Sequence, residues 1–173
     1  MDIVDTTKVT GLKKANIPES IKYYQDLDDD SKELLRSANK VRQNAYAPYS
    51  NFKVGAAFRT KCGRIFTGCN VENAAFTPCS CAERTAICKA VSEGFREFSA
   101  AAVVAYQEDA FTTPCGVCRQ FIMEFAAEDL PIYVAKAVEH PSENLDKLEN
   151  QSTDHVLCTS IYNLLPNGFR NYK

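Results

Sequence analysis

The hydrophobic positions of this chain fall into runs whose period switches between that of helices and that of strands. From Lys32 to about Tyr46, Leu34, Leu35, Ala38, Val41 and Ala45 recur at helical spacing and predict an amphipathic helix. Asp30 with Glu33 three residues on resembles a capping box, and Pro48 closes the segment. In "NFKVGAAFRT", Phe52, Val54, Ala56 and Phe58 alternate, which predicts a half-buried strand. The turn-like "KCGR" and then "IFTGCNV" predict a β-hairpin. "CAERTAICKAVSEG" predicts a helix that ends at Gly94, a C′ residue. "SAAAVVAY" (99–106) and "LPIYVAK" are short apolar runs, as expected of strands covered on both faces. Between them, "PCGVCRQFIMEFA" predicts a further helix opening on cysteines. "VLCTSI" predicts a last strand before "YNLLPNGF".

A hairpin followed by alternating helices and apolar strands implies an α/β sandwich with a mixed sheet. No internal repeat is present. Residues 1–30 are polar, with an acidic run at Asp28, Asp29 and Asp30, and are expected to form a loose N-terminal extension. Residues 137–155 are polar and rich in Asn, Ser and Glu, and are expected to form a surface insertion.

Composition narrows the class. At 173 residues, 45% hydrophobic and 24% charged, the chain suits one globular domain with a real core. Its formal charge of −2 argues against a protein that lives on nucleic acid. No apolar run reaches a membrane span, and "MDIVDTTKVT" has no signal-peptide pattern. The expected compartment is the cytoplasm, with the nucleus also open. The eight cysteines are poor disulfide candidates in such a reducing compartment.

Three of those cysteines suggest chemistry. Cys115 and Cys118 form a C-x-x-C pair at a helix start, which can hold a redox disulfide, half a zinc site, or nothing. Cys81 lies 34 positions earlier at the start of another predicted helix. Helices that follow parallel strands of one sheet bring their N-termini to the same edge, where three thiolates can converge on Zn²⁺. Helix N-termini themselves favour thiolate. A structural site would take a fourth protein ligand, with Cys79 the nearby spare thiol, whereas a catalytic site leaves that position to water. Glu83, two residues after Cys81, suits proton transfer beside such a water. Three thiolates on Zn²⁺ carry a net negative charge, which Arg84 could offset by hydrogen-bonding their sulfurs. The blander alternatives are a buried thiol that packs as a small hydrophobe, a solvated glutamate and a surface arginine.

"CAERTA" followed by "PCGVCRQ" resembles the signature of the zinc-dependent cytidine deaminases, with its C/H-A-E and P-C-x-x-C elements. "AYAPYSNFKVGAA", "GCNVENAAF", "CAERTAICKAVSEG", "PCGVCRQ" and "LLPNGF" resemble, in order, blocks of the small, three-cysteine nucleoside-type enzymes. The resemblance implies a three-layer α/β/α fold with a mixed sheet of about five strands over residues 31–173. It also implies hydrolysis of cytidine and deoxycytidine to uridine and deoxyuridine with release of ammonia, in pyrimidine salvage.

Residue by residue, Cys81, Cys115 and Cys118 match the ligands of one zinc ion per subunit. Glu83 matches the proton shuttle, and Arg84 the basic residue that compensates the thiolates. Asn70 and Glu72 match residues that bind the ribose 3′-hydroxyl. Phe52 matches an aromatic that packs on the pyrimidine, and backbone groups near Ala82 and Cys115 match those that hold the base. Phe169 matches an aromatic supplied by a neighbouring subunit of a homotetramer with shared active sites. The expected partners are a small nucleoside and further copies of this chain, with no nucleic acid and no membrane. The N-terminal extension and the 137–155 insertion depart from the family's pattern. Competing readings are a deaminase of a modified cytosine compound, of the blasticidin type, and a non-catalytic zinc module closed by Cys79.

Overall fold

In the computed structural model, residues 17–126, 128–137 and 155–169 are described. Six strands form one sheet: β1 (Ser20–Tyr23), β2 (Val54–Thr60), β3 (Ile65–Cys69), β4 (Phe98–Ala105), β5 (Pro131–Lys136) and β6 (His155–Ser160), in the spatial order β1-β6-β5-β4-β2-β3. Among the described residues four α-helices accompany it, α1 (Asp29–Arg42), α2 (Ala82–Ser92), α3 (Gly116–Phe125) and the single turn α4 (Ile161–Leu164), with a 3₁₀ turn at Tyr24–Asp26. Only the β4–β5 pair is parallel, so the sheet is mixed as expected.

Two apolar clusters sandwich the sheet. Phe58, Phe66, Val103, Ile132 and Val134 pack on one side against Ala86, Ile87 and Ala90 of α2 and Ile122 and Met123 of α3. On the other side Leu34, Leu35 and Ala38 of α1 meet Ala57, Ala102, Val104 and Val156. Fully burying each large apolar side chain stabilises the fold by roughly 1.5–3 kcal/mol. The result is the three-layer α/β/α arrangement.

Several local expectations are corrected by packing. The segment expected as a loose extension supplies a sixth strand. β1 runs antiparallel to β6 over Ser20–Tyr23, and buried Tyr24 and Leu27 seal the α1 side of the core. Polar sequence conceals this strand, because β1 is an outer strand and Ile21 and Tyr23 stay exposed. The cap of α1 is Asp28 rather than Asp30, with Asp28 Oδ1 accepting from Ser31 N–H at 2.7 Å. Asp30 and Glu33 instead pair with Arg59. The helix stops at Arg42 because Tyr46 is drawn into a bridge with Val71.

β2 is covered on both faces rather than one, since it lies between β3 and β4 with helices on each side. Its close neighbours demand small residues. A Cβ on Gly55 would come within 2.0 Å of Ala38 O, and one on Gly68 of β3 within 2.3 Å of Ala86 N. The predicted end of α2 holds: Phe95 N–H bonds Ala90 O and Gly94 N–H bonds Val91 O around Gly94 at φ 90°, a Schellman closure. The expected insertion at 137–155 lies, but for its two terminal residues, outside the described residues, as do residues 1–16 of the extension.

Candidate metal centre and active site

β3 and β4 flank β2 and both run antiparallel to it, so their carboxyl ends point the same way. The chain enters α2 after β3 and α3 after β4, which brings both helix N-termini to that one edge. Cys81 is the N-cap of α2 and Cys115 the N-cap of α3; neither side chain caps its own helix. Cys118 lies buried in the first turn of α3. Their sulfurs all lie within 4.8 Å of one another, with Cys81 and Cys115 at 4.0 Å. Tetrahedral Zn–S bonds of about 2.3 Å put thiolate sulfurs about 3.8 Å apart, so the donor set fits zinc in both chemistry and spacing.

The electrostatics support the same assignment. Arg84 Nη2 donates to Cys81 Sγ at 3.7 Å and to Cys79 O at 2.9 Å, holding the guanidinium against the sulfurs. The Cys81 thiol is lowered to about 5, first by a hydrogen bond with Cys118 and then by Arg84, against the cost of its burial. Cys118, on the other side of that bond and more buried, is pushed up. Three sulfurs this close need a cation among them to be thiolates together. Cys79 is not a fourth ligand: its Sγ accepts from Asn73 N–H at 3.2 Å, and the convergent cluster among the described residues holds only the other three. The residues therefore fit a zinc ion held by three protein ligands, the open arrangement of catalytic sites.

Glu83 is 4% exposed. Burial raises its carboxyl above the usual range and the Cys81 charge adds to this, while its own backbone N–H and the Cys118 thiol oppose. A buried carboxyl beside these sulfurs is placed to take up and return a proton.

These groups open onto a cavity of about 910 Å³. Phe52, Asn70, Glu72, Cys81, Ala82, Glu83, Arg84 and Cys115 all line it, so the fold brings most of the sequence-predicted site together. Asn70 Oδ1 accepts from Val54 N–H and its Nδ2 donates to Phe52 O, both at 2.8 Å. Glu72 Oε2 accepts from Tyr49 N–H at 2.9 Å and Ser50 N–H at 3.2 Å, and Oε1 accepts from Ser50 Oγ. The Ser50 hydroxyl, then the Tyr49 N–H, hold this carboxyl below its ordinary value. Asn70 and Glu72 thus brace the loop that carries Phe52, a role invisible in the sequence.

Phe169 does not line this cavity. It is 56% exposed, and its carbonyl accepts from Gln120 Nε2 on α3 at 2.8 Å. The preceding Asn167-Gly168 pair is a packed turn. Asn167 sits at φ 63°, and Gly168 fits against Leu165 and Met123, where a Cβ would be 2.8 Å from each side chain. Sequence reasoning missed Tyr49, Ser50, Phe76, Thr112 and Val117 on the cavity wall. Phe76, 81% exposed beside "CNVEN", carried a signal as an apolar residue in a polar loop; Ser50 carried none.

The family model for the "Cytidine and deoxycytidylate deaminase zinc-binding region" matches residues 28–134. A cytidine deaminase of Sporosarcina psychrophila is 50% identical over 105 residues, covering 61% of this chain and 76% of its own. A protein of Dictyostelium discoideum named "Probable cytidine deaminase" is 48% identical over 134 residues, covering 78% of this chain and 84% of its own. The crystal structure of cytidine deaminase from Burkholderia pseudomallei, 40% identical, superposes with a TM-score of 0.66 over 80% of this chain and 98% of that one. Three thiols converging at two helix N-termini, a buried glutamate beside them and these likenesses place the chain in the zinc-binding cytidine deaminase family.

Proposed function

We propose that this enzyme hydrolyses both cytidine and deoxycytidine, giving uridine and deoxyuridine with release of ammonia, and that it serves pyrimidine salvage. The observation that carries the reading is buried Glu83 on the wall of a cavity roomy enough for a nucleoside, two residues from the first of three converging sulfurs. A zinc ion held by Cys81, Cys115 and Cys118 would supply a Lewis acid that lowers the pKa of a water and so makes it a nucleophile near neutral pH.

The protein's own groups do the rest. Glu83 takes a proton from the attacking water and gives it to ring N3, which makes C4 electrophilic; it then takes the second proton from the oxygen added at C4 and passes it to the departing amine. Its raised pKa suits both halves of that cycle. Arg84 offsets the negative charge of the three thiolates through its hydrogen bond to Cys81 Sγ. The Phe52 ring covers one face of the base, and backbone groups of Ala82 and Cys115 hold its edge. Asn70 and Glu72 take the 3′-hydroxyl, which both nucleosides carry. That supports activity on both and weak use of free cytosine, which has no sugar to make these contacts.

Active sites are completed in a homotetramer, where Phe169 of one subunit reaches a neighbour's cavity. Its exposure and its position outside its own cavity support this. Eight free thiols suit the cytoplasm, or the nucleus. The test is loss of cytidine and deoxycytidine absorbance with matching ammonia release, abolished by zinc chelation. Zinc-loaded protein that turns over neither nucleoside overturns the reading.

A further inference from the structure

The cavity wall holds a serine that the proposed reaction does not use. Ser50 sits in the loop between α1 and β2, and its hydroxyl works in two directions. It donates to Glu72 Oε1 and accepts from Phe52 N–H at 3.0 Å. Asn51 between them lies at φ 55°, in the left-handed region, and its N–H bonds Ala47 O at 3.0 Å. A non-glycine residue held there is costly unless its surroundings require it. Here the reversal brings Ser50 Oγ to the Phe52 N–H.

The Glu72 carboxylate has about four acceptor sites. Tyr49 N–H, Ser50 N–H and Ser50 Oγ supply three donors to it from one turn. Among the described residues, Oε1 is held by Ser50 Oγ alone. With that bond the carboxylate cannot rotate, and its remaining acceptor direction is set.

We propose that Ser50 is a positioning residue that locks the Glu72 carboxylate and the Phe52 backbone into one unit, so that sugar recognition and base packing are set together. This rests on the reading of Glu72 as the group that takes the 3′-hydroxyl. Ser50 acts through Glu72 and Phe52 and touches no reacting atom, so its removal weakens binding more than chemistry.

The experiment measures kcat and KM of zinc-loaded Ser50→Ala, Ser50→Thr and Glu72→Ala on cytidine and on 3′-deoxycytidine. Ser50→Ala is expected to raise KM for cytidine about tenfold, the worth of one charge-assisted hydrogen bond, while kcat changes less than about threefold. Cytidine's advantage over 3′-deoxycytidine shrinks by a similar factor, and Ser50→Thr, which keeps the hydroxyl, restores both. A serine that only supported the fold would lower zinc content and penalise both substrates alike. That result, or a KM within about twofold of the parent, overturns the proposal. If Glu72→Ala removes the discrimination and Ser50→Ala does not, the role of Ser50 alone falls. If Glu72→Ala leaves the discrimination intact, the sugar reading of Glu72 falls and this proposal with it.

Discussion

Val71 and Ser80 exchange two backbone hydrogen bonds, each of 2.9 Å. That bridge ties the segment bearing Asn70 and Glu72 to the residue just before Cys81. Tyr46 joins the same segment from the other side, accepting from Glu72 N–H at 2.8 Å and donating to Asn70 O at 3.1 Å. The groups assigned to the sugar and the sulfurs assigned to the metal therefore belong to one hydrogen-bonded frame, and a shift in one displaces the other.

Gly68 tests the dependence of that frame on close packing. A Cβ there would lie 2.3 Å from Ala86 N and 2.5 Å from Ala82 O, both backbone atoms of α2. Gly68→Ala must push away the helix that carries Cys81 and Glu83. Overpacking of this kind costs about 1–3 kcal/mol, and an unyielding backbone neighbour favours the upper end. Thermal melts should show the loss, and zinc affinity should fall with it. Parental stability with full zinc content would contradict the packing described.

Glu83→Gln keeps the shape of the side chain and removes its proton chemistry. Turnover of cytidine should fall by at least ~10²–10⁴-fold, the usual contribution of a general acid–base. Zinc content and melting temperature should stay near those of the parent. Activity within tenfold of the parent would remove Glu83 from the proton pathway.

The ligand assignment separates two cysteines that are close in sequence. Cys118→Ser should lose zinc and destabilise the fold, because metal affinity is partly folding energy. Cys79→Ser should keep about one zinc per chain, since Cys79 Sγ is engaged by Asn73 N–H outside the cluster. Metal analysis of both variants decides the matter; release of zinc by Cys79→Ser would make the site a closed structural one.

Asp28 gives a pH-dependent test of the fold. Its carboxyl is held below its ordinary value of 3.8, chiefly by the Ser31 N–H at the start of α1. The folded value is depressed, so the stabilisation is fully present above 3.8 and is lost as pH falls through the folded pKa. Asp28→Ala should cost about 1 kcal/mol near neutral pH. The gap between its melting temperature and the parent's should close under acid conditions. A gap that does not change with pH would show that the cap acts without its charge.

Phe169 tests sharing between subunits. Phe169→Ala should weaken nucleoside binding while each chain keeps its zinc. Co-refolding it with a Cys118→Ser chain should recover part of the activity, because some sites then combine an intact metal centre with an intact Phe169. No recovery in verified hybrid oligomers would confine Phe169 to its own subunit.

The sequence by itself determined the elements whose period matches their burial, and the identity of the chemical groups. α2, α3, β4 and β5 were legible because their apolar positions or unbroken apolar runs report one consistent environment. The converging cysteines and Glu83 were legible as a group because metal chemistry restricts residue type and the C-x-x-C spacing is set by one helical turn. Tertiary structure alone decided features that depend on neighbours distant in the chain. β1 has too little apolar sequence to announce itself, and becomes a strand only because β6 offers an unpaired edge. β2 alternates in sequence yet is buried on both sides, since Gly55 and Ala57 let α1 close over the face that would otherwise meet water. The convergence of Cys81 on Cys115 and Cys118 comes from β3 and β4 running the same way on either side of β2. Ser50 joins the site for the same kind of reason: hydrogen bonds across 22 positions of chain, which no local pattern encodes.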